Sequence, residues 1–294
     1  MPASAAFACA TLLGLKQGNV PMVRRPLRSL SVVALGALMA AASPWGPATA
    51  SETWPGIHAE AFGGRTIMPG AGVVKLSAPY RPDDVRSVPM EADVTLPAGR
   101  TIKAVYFVVD MNPSPVAATF RLGDERSKAH LGIHFRLDQQ SDVRVIAEAN
   151  DGTLYMAEQL VKFAGGQASC SAPPVGDPAE IAANMGKMDF AGVGPKPNGS
   201  HQTARAQFAL NHPNHTGMVL DPVTLLYIPL LMVDRIEAHQ GDRMVFEMTG
   251  SITVAQNPAI SFDYVTNGAS EMTVTARDTS GASWSRAFPI GPGG

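Results

Sequence analysis

The sequence predicts an all-β protein built as two antiparallel β-sandwiches. Three observations carry that prediction. Apolar residues recur at every second position in segment after segment. Turn residues separate those segments at intervals of roughly ten to fifteen residues. No long apolar stripe at helical spacing interrupts the pattern in either half.

In the first half, Val88, Met90, Ala92, Val94 and Leu96 share one face of a strand. The same alternation holds for Val116, Ala118, Phe120 and Leu122, for Leu131, Ile133, Phe135 and Leu137, and for Val143, Val145, Ala147 and Ala149. Ile102 to Val109 is apolar on both faces and reads as a central strand, ended by the turn Asn112-Pro113-Ser114-Pro115. Asn150-Asp151-Gly152 tolerates positive φ, so strands near 142–149 and 153–162 should form a hairpin. In the second half, Ala204, Ala206, Phe208 and Leu210 alternate, then Met244, Phe246 and Met248, then Met272, Val274 and Ala276 before the turn Asp278-Thr279-Ser280-Gly281. Leu225 to Val233 is uniformly apolar but nine residues long and interrupted by Pro229. It is too short to cross a membrane and reads as a buried or edge strand, and as the contact surface on which the two halves dock.

Short strands with turns between them point to the immunoglobulin-like type of sandwich. The division is a signal peptide over residues 1–50, a first sandwich over 51–163, a linker over 164–202 and a second sandwich over 203–294. The linker is rich in Gly, Pro, Ser and Asn, and Asp177 to Met188 could form a helical turn or two, with Asp177 as cap and Pro178 in its first turn.

Composition narrows the function. Of 294 residues 45% are hydrophobic and 16% charged, with 28 Gly and 24 Pro, which excludes a disordered, collagen-like or coiled-coil chain. The first fifty residues hold Lys16, Arg24, Arg25 and Arg28 and no acid. The remainder therefore has 19 Lys and Arg against 25 Asp and Glu, a mildly acidic balance without the basic face that nucleic acid requires.

From Met22, a basic patch, the apolar run Ser31 to Ala42 and the ending Ala48-Thr49-Ala50 form the three-part pattern of a secretory signal, with cleavage expected before Ser51. Met22 reads as the initiator, and the Arg24-Arg25 pair leaves the twin-arginine route open beside the general one. The apolar run falls short of the roughly 20 residues of a membrane span. The expected location is the periplasm.

Export changes the meaning of the cysteines. Cys9 lies upstream of the cleavage point, so the mature chain keeps Cys170 alone in an oxidising compartment. Ala164 to Pro174 contains no large apolar residue around it, and the segment reads as an exposed loop. A cysteine thiolate holds cargo as a disulfide-like or thioester adduct, and the paired glycines Gly165 and Gly166 let a partner backbone approach. No Lys, Arg or His lies within seven residues of Cys170. Nothing local lowers its pKa, which suits a carrier activated by its partner better than a catalyst.

The motifs that flank these features resemble the SoxY and SoxZ sulfur-carrier proteins fused into one chain, most closely the SoxYZ-like carriers associated with quinoprotein dehydrogenases. In the first half they are Ala78-Pro79-Tyr80-Arg81-Pro82-Asp83-Asp84, Val109-Asp110-Met111-Asn112-Pro113-Ser114-Pro115-Val116-Ala117, Ala147-Glu148-Ala149-Asn150-Asp151-Gly152, and the Gly-Gly before Cys170-Ser171-Ala172-Pro173. In the second they are Asn211-His212-Pro213 with Thr216-Gly217, Asn257-Pro258-Ala259-Ile260-Ser261-Phe262, and Thr273-Val274-Thr275 with Asp278 and Gly281. The resemblance implies a SoxY-like sandwich followed by a SoxZ-like one. It implies a non-catalytic carrier with Cys170 as the covalent attachment residue and Gly165 and Gly166 as the hinge of its arm. The implied partners are periplasmic redox enzymes, either Sox-type enzymes that handle species such as thiosulfate or a quinoprotein dehydrogenase with cytochrome c. No metal and no cofactor beyond a sulfur adduct on Cys170 is implied. The chain departs from SoxY in two ways: Gln167-Ala168-Ser169 separates glycines from cysteine, and the chain runs on past Cys170 instead of ending as a free tail.

Three other readings compete with the carrier. A hydrolase would need a base, and none of the histidines sits in a nucleophile-elbow context. A copper centre would draw on Cys170, Met185, Met188 and a histidine, but the next histidine is His201, too far for a compact loop. His130 and His134, spaced evenly on a predicted strand, read as surface residues. An exported immunoglobulin-like interaction module without cargo explains the fold and leaves Cys170 without a purpose.

Overall fold

The computed structural model describes residues 52–163, 168–194 and 199–290. The expected signal peptide with Met22 and the hinge glycines Gly165 and Gly166 lie outside the described residues.

The first half opens with a helix, α1 (Trp54–Phe62), and continues through β1 (Ile67–Pro69), β2 (Val74–Ser77), β3 (Val88–Thr95), β4 (Ile102–Val109), β5 (Val116–Leu122), β6 (Lys128–Phe135), β7 (Ser141–Ala149) and β8 (Leu154–Val161). A 3₁₀ turn (Ser169–Ser171) and α2 (Pro178–Asn184) follow. The rest comprises β9 (Met188–Val193), β10 (Thr203–Leu210), β11 (Val233–Gln240), β12 (Arg243–Gly250), β13 (Ala259–Val265), β14 (Glu271–Asp278) and β15 (Ser283–Pro289). The chain is all-β in character, and among the described strands pairing is antiparallel except between β1 and β8.

The expected strands form where alternation is strongest. β7 and β8 make the hairpin, its turn closed by Gly152 at φ +83. β4 is interior, between β5 and β7. Its apolar character on both faces has two causes. Val105, Phe107 and Val109 face the main core, while Val108 packs with Ile146, Leu154 and Phe62 under α1. That helix also covers a buried ion pair, Arg144–Asp110 at 2.8 Å, with the Trp54 ring 4.2 Å from the guanidinium carbon.

Two sheets run through both halves. The order β1-β8-β7-β4-β5-β12-β11-β14-β15 makes one layer and β2-β3-β6-β13-β10-β9 the other. Each half thus contributes a sandwich, and the two sandwiches join edge to edge through β5 with β12 and β6 with β13. This pairing removes two strand edges from each half that would otherwise template aggregation. One hydrophobic core continues across the seam. Its aromatic rings form an unbroken series, Phe135–Phe107–Phe120–Phe246–Phe262–Phe190–Phe288, with centroids 4.9–6.3 Å apart. Each such contact contributes about 0.5–1.5 kcal/mol beyond area burial. Gly132 on β6 is required here, because a Cβ would collide with the Ser261 hydroxyl on β13.

The seam does not use Leu225 to Val233. Leu225, Leu226 and Tyr227 are 67–69% exposed, and β11 begins only at Val233. Asp221 accepts hydrogen bonds from Val223 and Thr224 N–H, and Leu225 adopts φ +57, so the apolar run folds into a protruding loop. Pro229 has no N–H to give a ladder. Within the stretch read as linker, Asp177 caps α2 as expected and Met188–Val193 adds an edge strand beside β10. His130 and His134 share a face, but His130 is buried, bonded to Asp93 at 2.8 Å and to Ser261 across the seam at 3.1 Å.

Candidate functional site

After β6, four hydrogen bonds fix the segment Arg136-Leu137-Asp138. Arg136 N–H donates to the Thr253 carbonyl at 2.8 Å and Leu137 N–H to that of Val85 at 2.8 Å. Asn112, from the turn after β4, accepts from Asp138 N–H at 3.0 Å and donates to the Arg136 carbonyl at 2.7 Å. The Asn-Pro motif is therefore a strut for this segment.

The 3₁₀ turn carrying Cys170 lies against that segment. The Ser169 hydroxyl donates to the Leu137 carbonyl at 2.6 Å, and Cys170 N–H donates to Asp138 Oδ1 at 2.7 Å. From the second half, the Thr216 hydroxyl donates to the Cys170 carbonyl at 2.5 Å. Both halves thus hold the cysteine at the seam. Cys170 is fully buried, which corrects the expectation of an exposed loop. The absence of apolar residues near it in sequence said nothing about what tertiary structure places over it, and polar anchors rather than apolar neighbours in the chain fold the turn inward.

Burial pushes the Cys170 thiol up to about 12; Asp138 pushes in the same direction, by its charge and by a hydrogen bond, and the Arg136 charge opposes them. Arg136 is itself buried, with its guanidinium bonded to the carbonyls of Ile252 at 3.2 Å, Val254 at 2.6 Å and Pro213 at 3.5 Å rather than to a carboxylate. Burial lowers its pKa, while the Cys170 and Asp138 charges raise it. The site as it stands suppresses the thiolate: burial and Asp138 together outweigh the Arg136 cation.

The motifs of the second half build the opposite wall. His212 N–H donates to Asn257 Oδ1 at 3.0 Å, and Asn257, at φ +50, returns its N–H to the His212 carbonyl at 2.9 Å. The buried His212 ring bonds Asn214 at 2.9 Å and Asp278 at 3.4 Å, and Asn214 donates to the Ala255 carbonyl at 2.8 Å. Burial lowers the His212 pKa, and lowers that of His215 together with the charges of His212 and Arg136. These struts position Pro213 and Thr216 against Arg136 and Cys170.

Of the residues singled out in the sequence, Cys170 is at the centre of this arrangement, and Gly165 and Gly166 fall outside the described residues. Met188 is buried in the core cluster and His201 is exposed, so they do not gather round the sulfur. Among the described residues no group of three or more His, Cys, Asp and Glu is placed to hold a metal ion. No helix among them is long and apolar enough to cross a membrane. Arg136, Asp138 and the role of Thr216 were missed. They lie 32 to 46 positions from the cysteine, and the available signals were the Asn112 and Thr216-Gly217 motifs, which gave place without role.

The family model of sulfur oxidation protein SoxY matches residues 58–167, and that of sulphur oxidation protein SoxZ matches residues 195–289. Comparison with curated proteins found no match. Among solved structures, the sulfur carrier protein SoxY from Chlorobium limicola f thiosulfatophilum is 22% identical, covering 38% of this chain and 91% of that one, with a TM-score of 0.33. A beta-glycosidase from Bacteroides vulgatus is 8% identical, covering 74% of this chain and 24% of that one, with a TM-score of 0.23. Neither likeness bears on function. The two matches in tandem, spanning most of a chain whose sheets run unbroken from one matched region to the other, make this protein a member of the SoxY and SoxZ sulfur-oxidation family in which both domains are fused in one polypeptide.

Proposed function

We propose that the protein is a periplasmic covalent carrier that bears a sulfur species on Cys170 and presents it to redox enzymes. The observation that carries this reading is the position of Cys170. It is the one cysteine among the described residues, three residues beyond the SoxY-matching segment, on a short turn held by two hydrogen bonds to the first half and one to the second. With thiosulfate as cargo, the Cys170 thiol and the outer sulfur of thiosulfate form an S–S bond. One proton leaves and two electrons pass to an acceptor such as a c-type cytochrome. The product is a thiosulfonate anion on the protein. In the closed arrangement the thiol is inaccessible and protonated, so loading proceeds from an opened state in which the turn leaves Leu137, Asp138 and Thr216. The chain itself supplies no catalyst; a Sox-type enzyme or a quinoprotein dehydrogenase with its cytochrome supplies the oxidising step.

Intact-mass measurement on protein purified from its native periplasm tests the proposal. An added mass located on Cys170 and removed by reductant is expected. A chain that carries no adduct, before or after incubation with thiosulfate in that periplasmic extract, would show that Cys170 is not a carrier residue.

A further inference from the structure

Between Thr216 and Val233 the chain leaves the sandwich and returns as a finger. Leu220, Val223, Leu225, Leu226, Tyr227 and Leu230 on it are 47–88% exposed. No charged side chain occurs from Pro222 to Met232. An apolar cluster of this size in contact with water is the mark of a surface that meets a partner.

The finger is built to hold its shape. Ile228 N–H bonds the Val219 carbonyl at 2.8 Å, and Asp221 N–H bonds that of Leu226 at 2.9 Å. The Asp221 carboxylate is occupied at the tip by Val223 and Thr224 N–H at 2.9 and 2.8 Å. Its base is fixed by Leu231 N–H to the His215 carbonyl at 3.1 Å. Apolar side chains presented on a braced loop lose little entropy on binding.

The base of the finger is also a wall of the cysteine site. Thr216 donates to the Cys170 carbonyl at 2.5 Å and accepts from Met218 N–H at 3.2 Å, so one hydroxyl joins the finger to the turn that carries the thiol. Gly217, at φ +79, lies directly against Leu230. We propose that this finger is the docking surface for the enzyme that loads Cys170, which covers it with an uncharged apolar recess beside its thiol-reacting centre. The inference rests on the carrier reading and adds to it the place where the partner binds. Six exposed side chains fall well short of the about 20 to 30 residues a side of a stable dimer, which speaks for a transient partner over a second copy of this chain. The lack of charge speaks against nucleic acid and lipid headgroups.

The test compares wild type with the double variant Leu226→Ser, Tyr227→Ser in the full chain, loading Cys170 by two routes read by intact mass. Tetrathionate loads a thiolate without an enzyme: the cysteine sulfur bonds one half of tetrathionate and thiosulfate leaves with the electron pair. Thiosulfate in native periplasmic extract requires the enzyme and its c-type cytochrome acceptor. The variant should load at the wild-type rate from tetrathionate and at least tenfold more slowly in extract. Equal loading in extract would overturn the proposal. An equal fall by both routes would assign the finger to the exposure of Cys170 rather than to docking. A wild-type dimer that the variant converts to monomer in sedimentation would make the occupant a second copy. Wild type that loads from tetrathionate but never in extract would remove the carrier reading itself, and the docking surface with it.

Discussion

The closed cysteine site makes a quantitative demand on thiol reactivity. With its pKa pushed up to about 12, Cys170 has at pH 7.5 a thiolate fraction of about 3 × 10⁻⁵, against about 10% for a free cysteine near 8.5. Alkylation by iodoacetamide in the native protein should therefore be slower than in the urea-unfolded chain by about three orders of magnitude, before its full burial is counted. Any reaction that does occur passes through the opened state, so loosening the turn should raise the rate. Thr216→Val keeps the shape and removes the hydroxyl that donates to the Cys170 carbonyl. A hydrogen bond of net worth about 0.5–1.5 kcal/mol corresponds to a gain of about two- to twelvefold in the open population. Peptide mapping of the alkylated thiol gives the rates, and the unfolded variant should react as fast as unfolded wild type. A native wild-type rate within tenfold of the unfolded rate would refute the closed site. A Thr216→Val rate equal to wild type would refute the clasp.

Further outcomes follow from the same geometry. Cys170→Ser should abolish sulfur loading and, because the site is buried rather than exposed, should cost about 1–3 kcal/mol in denaturant unfolding instead of the few tenths expected of a surface substitution. The raised thiol pKa favours the protonated native state, so its contribution to stability is complete below about pH 9 and is lost as pH rises toward 12, at up to about 1.4 kcal/mol per pH unit; Cys170→Ala should remove this part of the alkaline decline while Tyr106, also raised to about 12, leaves its own. His212 and His215 have lowered pKa values, the opposite sign, so stability should be complete above about pH 6.5 and fall as pH drops below it, with a shallower fall in His212→Gln. At the seam, Phe246→Ala opens the ring series between Phe120 and Phe262 and should cost about 3–5 kcal/mol by thermal or chemical unfolding.

Much of this architecture was legible because alternation is a local signal. Val143 to Ala149 and Ala204 to Leu210 announce their buried faces without reference to the rest of the chain. The seam was not legible, because nothing in the alternation of β5 or β6 says that β12 or β13 lies alongside. Apolar character proved a poor guide to the contact between halves. In the apolar stretch Leu225 to Val233, the part from Leu225 to Leu230 protrudes because an Asx turn and a left-handed leucine override its hydrophobicity, and only Val233 enters a strand, while the actual seam is made of ordinary strands. Cys170 stands out in the sequence when its cysteines are counted against an expected cleavage site, but its burial depends on Asp138 and Thr216, whose proximity only the fold creates.

Burial and double tethering bear on how the proposed carrier would deliver a cargo. A free C-terminal arm swings on one hinge, whereas Cys170 is followed by α2 and β9, and β9 is fixed to β10 through Arg205 to Leu210. Release of the 3₁₀ turn nevertheless requires no loss of sheet. Cys170 stands nine residues after the end of β8 and eighteen before the start of β9, so an opened segment could carry it up to about 30 Å from Val161 on its shorter side, at about 3.3 Å per residue. The second tether limits direction more than distance, since the longer side contains α2, which begins eight positions after the cysteine and must accompany the turn or unwind. A partner therefore has to meet the cysteine near the side on which it leaves the seam, and the part of the second half already bonded to it there is Thr216, the root of the exposed finger.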